Sequence, residues 1–279
     1  MNIRRPAVAG AFYPANPKLL HGMVKGYIDD APVEPAPDRV AAIITPHAGY
    51  IYSGATAGFA YKRVIGMKPA RVILLGCSHH HSIEHASVYT SGSFETPLGN
   101  LPIGEAFAQE LARATASYSI ISHLDEHCLE VQLPFLQVAL GEVPIVPVLF
   151  GVPARPWHVD VGRKIAALAE DSSLVIASTD LSHFLTEEKA NAIDKRTLKV
   201  VLARGIDALL GGLRNETYAM CGEAAVVVAM SYALERGATE WSLLDYRTSA
   251  AVSGDYNRVV GYGAISMERS KPAGGPPES

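Results

Sequence analysis

Three histidines in this chain occur in matching settings, and the repetition points to chemistry. Arg39-Val40-Ala41-Ala42-Ile43-Ile44 runs into Thr45-Pro46-His47-Ala48-Gly49. Arg71-Val72-Ile73-Leu74-Leu75-Gly76 runs into Cys77-Ser78-His79-His80-His81, and Ser173-Leu174-Val175-Ile176-Ala177 into Ser178-Thr179-Asp180-Leu181-Ser182-His183. Each short apolar run reads as a buried strand, so each histidine sits in a loop at a strand's carboxyl end. Open α/β sheets build ligand sites there. Taken singly, each would be read as a loop histidine bonded to a nearby carbonyl. Three together favour a metal site, because neutral imidazole is the commonest metal ligand.

Other residues compete for places in that site. His79, His80 and His81 are consecutive, and consecutive side chains in an extended loop point different ways, so they cannot all serve one centre. His79, nearest the strand, is the most rigidly held. Cys221, in Ala219-Met220-Cys221-Gly222-Glu223, precedes an expected helix, whose amino terminus favours a thiolate. It is as readily a buried cysteine of the cap region. Asp180 and His183 read as an acid/base pair beside the metal or, for Asp180, as a cap on a short turn. His127, beside Asp125 and Glu126 in an expected helix first turn, is the weakest candidate. Cys77 and Cys128 read as small buried apolar residues. No G-x-G-x-x-G, G-x-x-x-x-G-K-[ST], G-x-S-x-G or C-x-x-C motif is present.

The elements that must hold these loops alternate along the chain. Helical spacing is expected over residues 18–29, 55–65, 105–116, 126–139 (capped by Asp125), 157–170, 187–204 and 222–236. Strands are expected at 40–44, 72–75, 119–122, 143–150, 173–177, 241–248 and 259–267, with a hairpin-like excursion from Ala86 to Leu101 and an irregular lead-in over 1–16. That alternation predicts an α/β fold, a central, mostly parallel or mixed sheet with helices on both faces. Residues 1–269 read as one domain, and 270–279, rich in Gly and Pro, as a disordered tail.

With 48% hydrophobic and 19% charged residues the chain has ample material for a core. A net charge of −4 and the lack of a Lys/Arg-rich run give no electrostatic case for nucleic acid or an anionic membrane. The apolar stretches are too short or too interrupted to span a bilayer, and the amino terminus lacks a signal-peptide pattern. A cytoplasmic protein is expected. Three cysteines do not make a disulfide framework.

Several stretches together resemble the Memo family, known in prokaryotes as AmmeMemoRadiSam system protein B. They are Arg5-Pro6-Ala7-Val8-Ala9-Gly10-Ala11-Phe12-Tyr13-Pro14, Pro46-His47-Ala48-Gly49-Tyr50-Ile51-Tyr52-Ser53-Gly54 and Gly76-Cys77-Ser78-His79-His80. Asp125-Glu126-His127-Cys128-Leu129-Glu130-Val131-Gln132-Leu133-Pro134-Phe135, Ser178-Thr179-Asp180-Leu181-Ser182-His183 and Cys221-Gly222 complete the set, in order over nearly the whole chain. The resemblance implies the fold of the class III, LigB-like extradiol dioxygenases. It also implies His47, His79 and Cys221 as metal ligands, with Asp180 and His183 lining the pocket and His127 close by. Ring-cleaving relatives use two histidines and a carboxylate; Cys221 stands in the carboxylate's place. Two expectations follow. One is a mononuclear Fe(II) protein, with Cu or Zn as alternatives, doing redox or dioxygenase-type chemistry on an unknown small molecule while His183, oriented by Asp180, handles protons. The other is a non-catalytic protein that holds or delivers iron or copper, or docks a protein or peptide partner. The prokaryotic name also suggests a functional link to a radical-SAM protein.

Overall fold

A computed structural model describes residues 2–115, 120–151 and 153–270. Its first half comprises β1 (Ile3–Arg4), α1 (Pro17–Asp29), β2 (Val40–Thr45), α2 (Tyr50–Arg63), β3 (Val72–Cys77), β4 (Ala86–Val88), β5 (Ser93–Thr96), β6 (Gly99–Pro102), α3 (Glu105–Ala114) and α4 (Leu133–Leu140). The second half comprises β7 (Ile145–Phe150), α5 (Trp157–Leu168), β8 (Leu174–Ser178), β9 (His183–Leu185), α6 (Glu187–Leu202), α7 (Ile206–Arg214), α8 (Glu223–Glu235), β10 (Ala238–Thr248), α9 (Ala250–Ser253) and β11 (Val259–Arg269).

The main sheet runs in the order β10-β11-β2-β8-β3-β7-β4, with β9 paired to β11, and a small sheet joins β1, β5 and β6. β2, β8, β3 and β7 are mutually parallel. Every residue of these four strands is buried, which is why they read as continuous apolar runs rather than alternating ones. β11 and β4 flank them antiparallel, so the architecture is the expected mixed α/β sheet flanked by helices. β8 lies between β2 and β3, and that order brings the three histidine-bearing loops to one edge.

α8 is apolar on all sides and is buried accordingly, against β2, β3 and β8 and under α5. Gly162 of α5 allows this approach, since a Cβ there would lie 2.5 Å from the Val228 carbonyl oxygen. At the other end of α8, a Cβ on Gly222 would lie 2.5 Å from the Ser178 carbonyl oxygen and 2.7 Å from Thr179 Cβ. Glycine there lets the helix start against the carboxyl end of β8, which brings Cys221 beside His47.

The segment after Asp125 departs from expectation. It makes a 3-10 turn at Glu130–Gln132 and enters α4 only at Leu133. Pro134 fits the first turn of α4, where its missing N–H costs nothing, whereas inside a 126–139 helix it would break a hydrogen bond. Glu126 and Glu130 point into tertiary partners instead of lining a helix face. Ile121–His123 is a 3-10 turn rather than a strand, with Ser122 and His123 turned inward onto Ser87. Ser119 and residues 271–279 of the expected tail lie outside the described residues. α7 was masked in the sequence by Gly211 and Gly212. Among the described residues no helix is long and apolar enough to cross a membrane.

Candidate metal centre

His47 follows β2, His79 follows β3, and Cys221 precedes α8. One donor atom from each of these, together with Cys77 Sγ, falls within 4.8 Å of the others. Cys221 Sγ is 3.1 Å from His47 Nε2, and Cys77 Sγ is 3.6 Å from His79 Nε2. His47 and Cys77 are buried, Cys221 is half-buried, and His79 is exposed on one side.

The neighbours fix the imidazole tautomers. Ser178 Oγ donates its only proton to the Cys128 carbonyl at 2.6 Å. It must therefore accept from Gln132 Nε2 at 2.9 Å and from His47 Nδ1–H at 3.0 Å. That leaves His47 Nε2 facing Cys221 Sγ. Glu126 accepts from His79 Nδ1 at 2.9 Å, from the His79 amide at 2.6 Å and from the Cys128 amide at 2.9 Å. Burial alone would raise the Glu126 carboxyl, but the His79 ring and these amides bring it down to about 2. An ionised acceptor makes His79 Nδ1 a donor, so Nε2 is the ring nitrogen left facing Cys77 Sγ. Tying the far nitrogen to a carboxylate or hydroxyl is how metal-binding histidines are oriented.

The sulfur is supported as well. The Asp180 amide donates to Cys221 Sγ at 3.2 Å, and the Cys221 amide donates to the Asp180 carbonyl at 3.1 Å. Burial, followed by the Cys77 hydrogen bond, pushes the Cys221 thiol up to about 12 against the pull of His47. Helix position alone suggested a thiolate; burial decides otherwise while only protons are shared. Burial pulls His79 down, yet Cys221 and Glu126 outweigh it and carry the imidazole up to about 10. Two imidazoles and one or two thiols suit Zn, Fe or Cu(I), not the oxygen-seeking Mg or Ca. The residues therefore fit a transition metal.

The remaining candidates have separate places. His127 packs its ring 4.5 Å from His79 and 5.5 Å from His47, centroid to centroid, and burial brings it down to about 3, so it is neutral. The Asp180 carboxylate accepts the His47 amide at 2.8 Å. Among the described residues no hydrogen bond joins it to His183, so the expected orienting contact is not made. His183 belongs to β9 and lines a cavity of about 410 Å³ that also reaches Cys221. Asp194, whose carboxyl is raised by burial, interacts electrostatically with His183. His80 and His85 are exposed and outside the cluster.

Sequence reasoning missed the scaffold beneath the ligands. Arg4 and Glu130 form a fully buried ion pair. Arg4 also donates to the carbonyls of His123 at 3.0 Å and Glu126 at 2.7 Å. Glu130 accepts from the Ala7 and Val8 amides and the Tyr13 hydroxyl. The amino-terminal lead-in is thereby fastened to the strip carrying Glu126 and Gln132, and Phe12 packs against the His127 ring at 4.8 Å. Glu130 and Gln132 inside an apolar stretch were the visible signal, since buried polar groups require partners. Cys77 carried a signal too: Cys77 and His79 are two residues apart at an extended strand end and so share a face.

Comparison with known proteins finds relatives over nearly the whole chain. The profile of the Memo-like protein family matches residues 4–266. A MEMO1 family protein of Methanopyrus kandleri is 35% identical, over 95% of this chain and 99% of its own length. One of Aquifex aeolicus is 36% identical, over 94% and 98%. An uncharacterized protein of Escherichia coli K12 of known structure aligns with a TM-score of 0.48 and 15% identity, covering 80% of this chain and 99% of its own.

Proposed function

The chain belongs to the Memo family, and from that premise we propose that it holds one metal ion on His47, His79 and Cys221. Iron is the first choice, with copper or zinc as alternatives, and the site lies in a cytoplasmic protein. The observation that carries this reading is the pair of imidazoles whose Nδ1–H groups are tied to Ser178 and Glu126, leaving both Nε2 atoms directed toward sulfur. A bound iron or copper ion would supply a redox couple and Lewis acidity. The protein's own part is to hold the ligands in place, keep His127 neutral beside them, and offer His183 across the adjoining cavity as a proton carrier for a small molecule or peptide that enters there. Cys221 in place of a carboxylate separates this centre from the ring-cleaving dioxygenases.

A second reading, metal holding or delivery without turnover, draws support from the second thiol, Cys77, beside the same donors. Anaerobic Fe(II) titration of the wild type, His47→Ala and Cys221→Glu, followed by oxygen uptake with a panel of catechols, separates the readings. One ion bound by the wild type, lost in His47→Ala, and oxygen consumed with a substrate is the result expected of a redox enzyme. Oxygen uptake by Cys221→Glu alone favours metal handling. Failure of iron, copper and zinc all to bind overturns the site.

A further inference from the structure

We propose that Cys77 is a fourth ligand, so that the centre is a closed two-histidine, two-cysteine site selective for ions that accept tetrahedral nitrogen and sulfur. The inference rests on the three-ligand site above and adds a residue to it.

The geometry points to this through two imidazole–thiol pairs that face each other. His47 Nε2 with Cys221 Sγ forms one pair at 3.1 Å, and His79 Nε2 with Cys77 Sγ forms the other at 3.6 Å. With metal–nitrogen bonds of about 2.05 Å and metal–sulfur bonds of about 2.3 Å, a tetrahedron has nitrogen–sulfur edges of about 3.6 Å and a sulfur–sulfur edge of about 3.8 Å. The measured pairs lie at or just inside that edge length, and no pair of donors exceeds 4.8 Å. The four are therefore spaced to receive one ion with small side-chain shifts.

The backbone supports the assignment. Cys77 is the last residue of β3 and His79 lies two positions on, so one strand end delivers a sulfur and a nitrogen together, while Cys221 and His47 arrive from α8 and β2. Cys128, the remaining cysteine, is otherwise engaged, its Sγ donating to the Cys77 carbonyl at 3.0 Å. That contact engages the Cys128 thiol at the Cys77 backbone; the same sulfur also lies within 4.8 Å of a His79 nitrogen and a Glu126 oxygen, which is why Cys128 is the control in the test below.

The chemistry of such a set differs from that of a site with two histidines and one cysteine. Two thiolates select Zn(II) and Cu(I) over harder ions, and four protein ligands leave no open position for a substrate to occupy without displacing one of them, so a fourth ligand sets zinc or copper ahead of iron and metal holding ahead of turnover. The ion replaces the proton of each of the two thiols and any proton on the two Nε2 atoms, and these protons leave to solvent.

The test counts sulfur atoms. The full-length wild type, reduced and loaded anaerobically with Zn(II) alone or Cu(I) alone, is examined by X-ray absorption spectroscopy, and its Zn(II) affinity is measured against a chromophoric chelator. Two sulfurs in the wild type, falling to one in Cys77→Ser and staying at two in Cys128→Ser, is the expected result, with Zn(II) affinity lower by about 100-fold or more in Cys77→Ser. That loss is at or above the 10–100-fold that outer partners of metal ligands command. One sulfur in the wild type overturns the role of Cys77 while leaving the three-ligand site standing. A count of two that persists in Cys77→Ser but falls in Cys128→Ser overturns the assignment in favour of Cys128. Failure of the wild type to bind either ion overturns both the fourth ligand and the site beneath it. Because the count is made first on the unmodified protein, misfolding of a variant does not decide the outcome.

Discussion

Substituting Glu126 by Gln probes the joint between the fold and the proposed metal site. The carboxylate is 2% exposed and accepts three N–H groups, two from His79 and one from Cys128. Its ordinary value of 4.5 falls to about 2 in the folded protein. At 1.36 kcal/mol per pKa unit this gap corresponds to about 3 kcal/mol of stability. The folded value is depressed, so the contribution is fully present above the unfolded value of 4.5 and is lost as pH falls through about 2. At pH 3 about 1.4 kcal/mol remains. Urea unfolding of metal-free wild type and Glu126→Gln, in chelator, should differ by about 3 kcal/mol at pH 7 and about half that at pH 3. Titrations of groups that Glu126 does not touch cancel in the difference; that of His79, which Glu126 raises, does not and is followed separately by NMR. Glutamine also turns an amide donor toward groups that are themselves donors, loosening His79, and metal affinity should fall 10–100-fold, or about 1.4–2.7 kcal/mol. A stability difference that stays constant between pH 7 and pH 3 would refute the electrostatic account and leave packing as the cause. Unchanged metal affinity would refute the orienting role.

Three further outcomes are expected. Arg4→Met leaves the Glu130 carboxylate buried without its cation and should destabilise the protein by about 3–5 kcal/mol in urea; a loss below about 1 kcal/mol would show that water or another cation replaces the guanidinium. His123 is buried, bonds through Nε2 to the Ser87 carbonyl, and is brought down by desolvation to about 3. It should remain neutral at pH 5 in nitrogen-15 NMR spectra while the unfolded chain protonates near 6.5, draining about 2 kcal/mol of stability between pH 6.5 and 5; a ring that titrates near 6 contradicts this. Gly162→Ala and Gly222→Ala both place a Cβ 2.5 Å from a carbonyl oxygen and should each cost about 1–3 kcal/mol. Only Gly222→Ala should also weaken metal binding, because it pushes the start of α8 away from the loop after β8; equal metal affinities in the two variants would disconnect that loop from the site.

Much of this arrangement was legible in the chain. Val40–Thr45, Val72–Cys77 and Leu174–Ser178 announced themselves as fully buried parallel strands because only a strand covered on both faces tolerates such uniformly apolar runs. A histidine-bearing loop after each of the three followed directly, since a strand's carboxyl end is fixed by where its apolar run stops. Helices α1, α5, α6 and α8 were marked by period and length. His47 and His79 were marked by place and type before any resemblance was considered.

Other features arise only when distant segments meet. That Glu126 and Glu130 turn inward, rather than lining an exposed helix, depends on His79 and Arg4, which lie 47 and 126 residues away. Asp180 goes to the His47 amide rather than to His183 because β8 lies beside β2, a neighbour relation that local sequence does not encode. Cys77 looks like a small core residue in sequence; its sulfur takes on chemical meaning only where α8 brings Cys221 against the end of β3. Residue type and period determine which segments are buried strands and which loops carry donors. Which donors share a proton or an ion is decided by strand order and helix seating, because contacts of a few ångströms between distant residues form only after the core has closed.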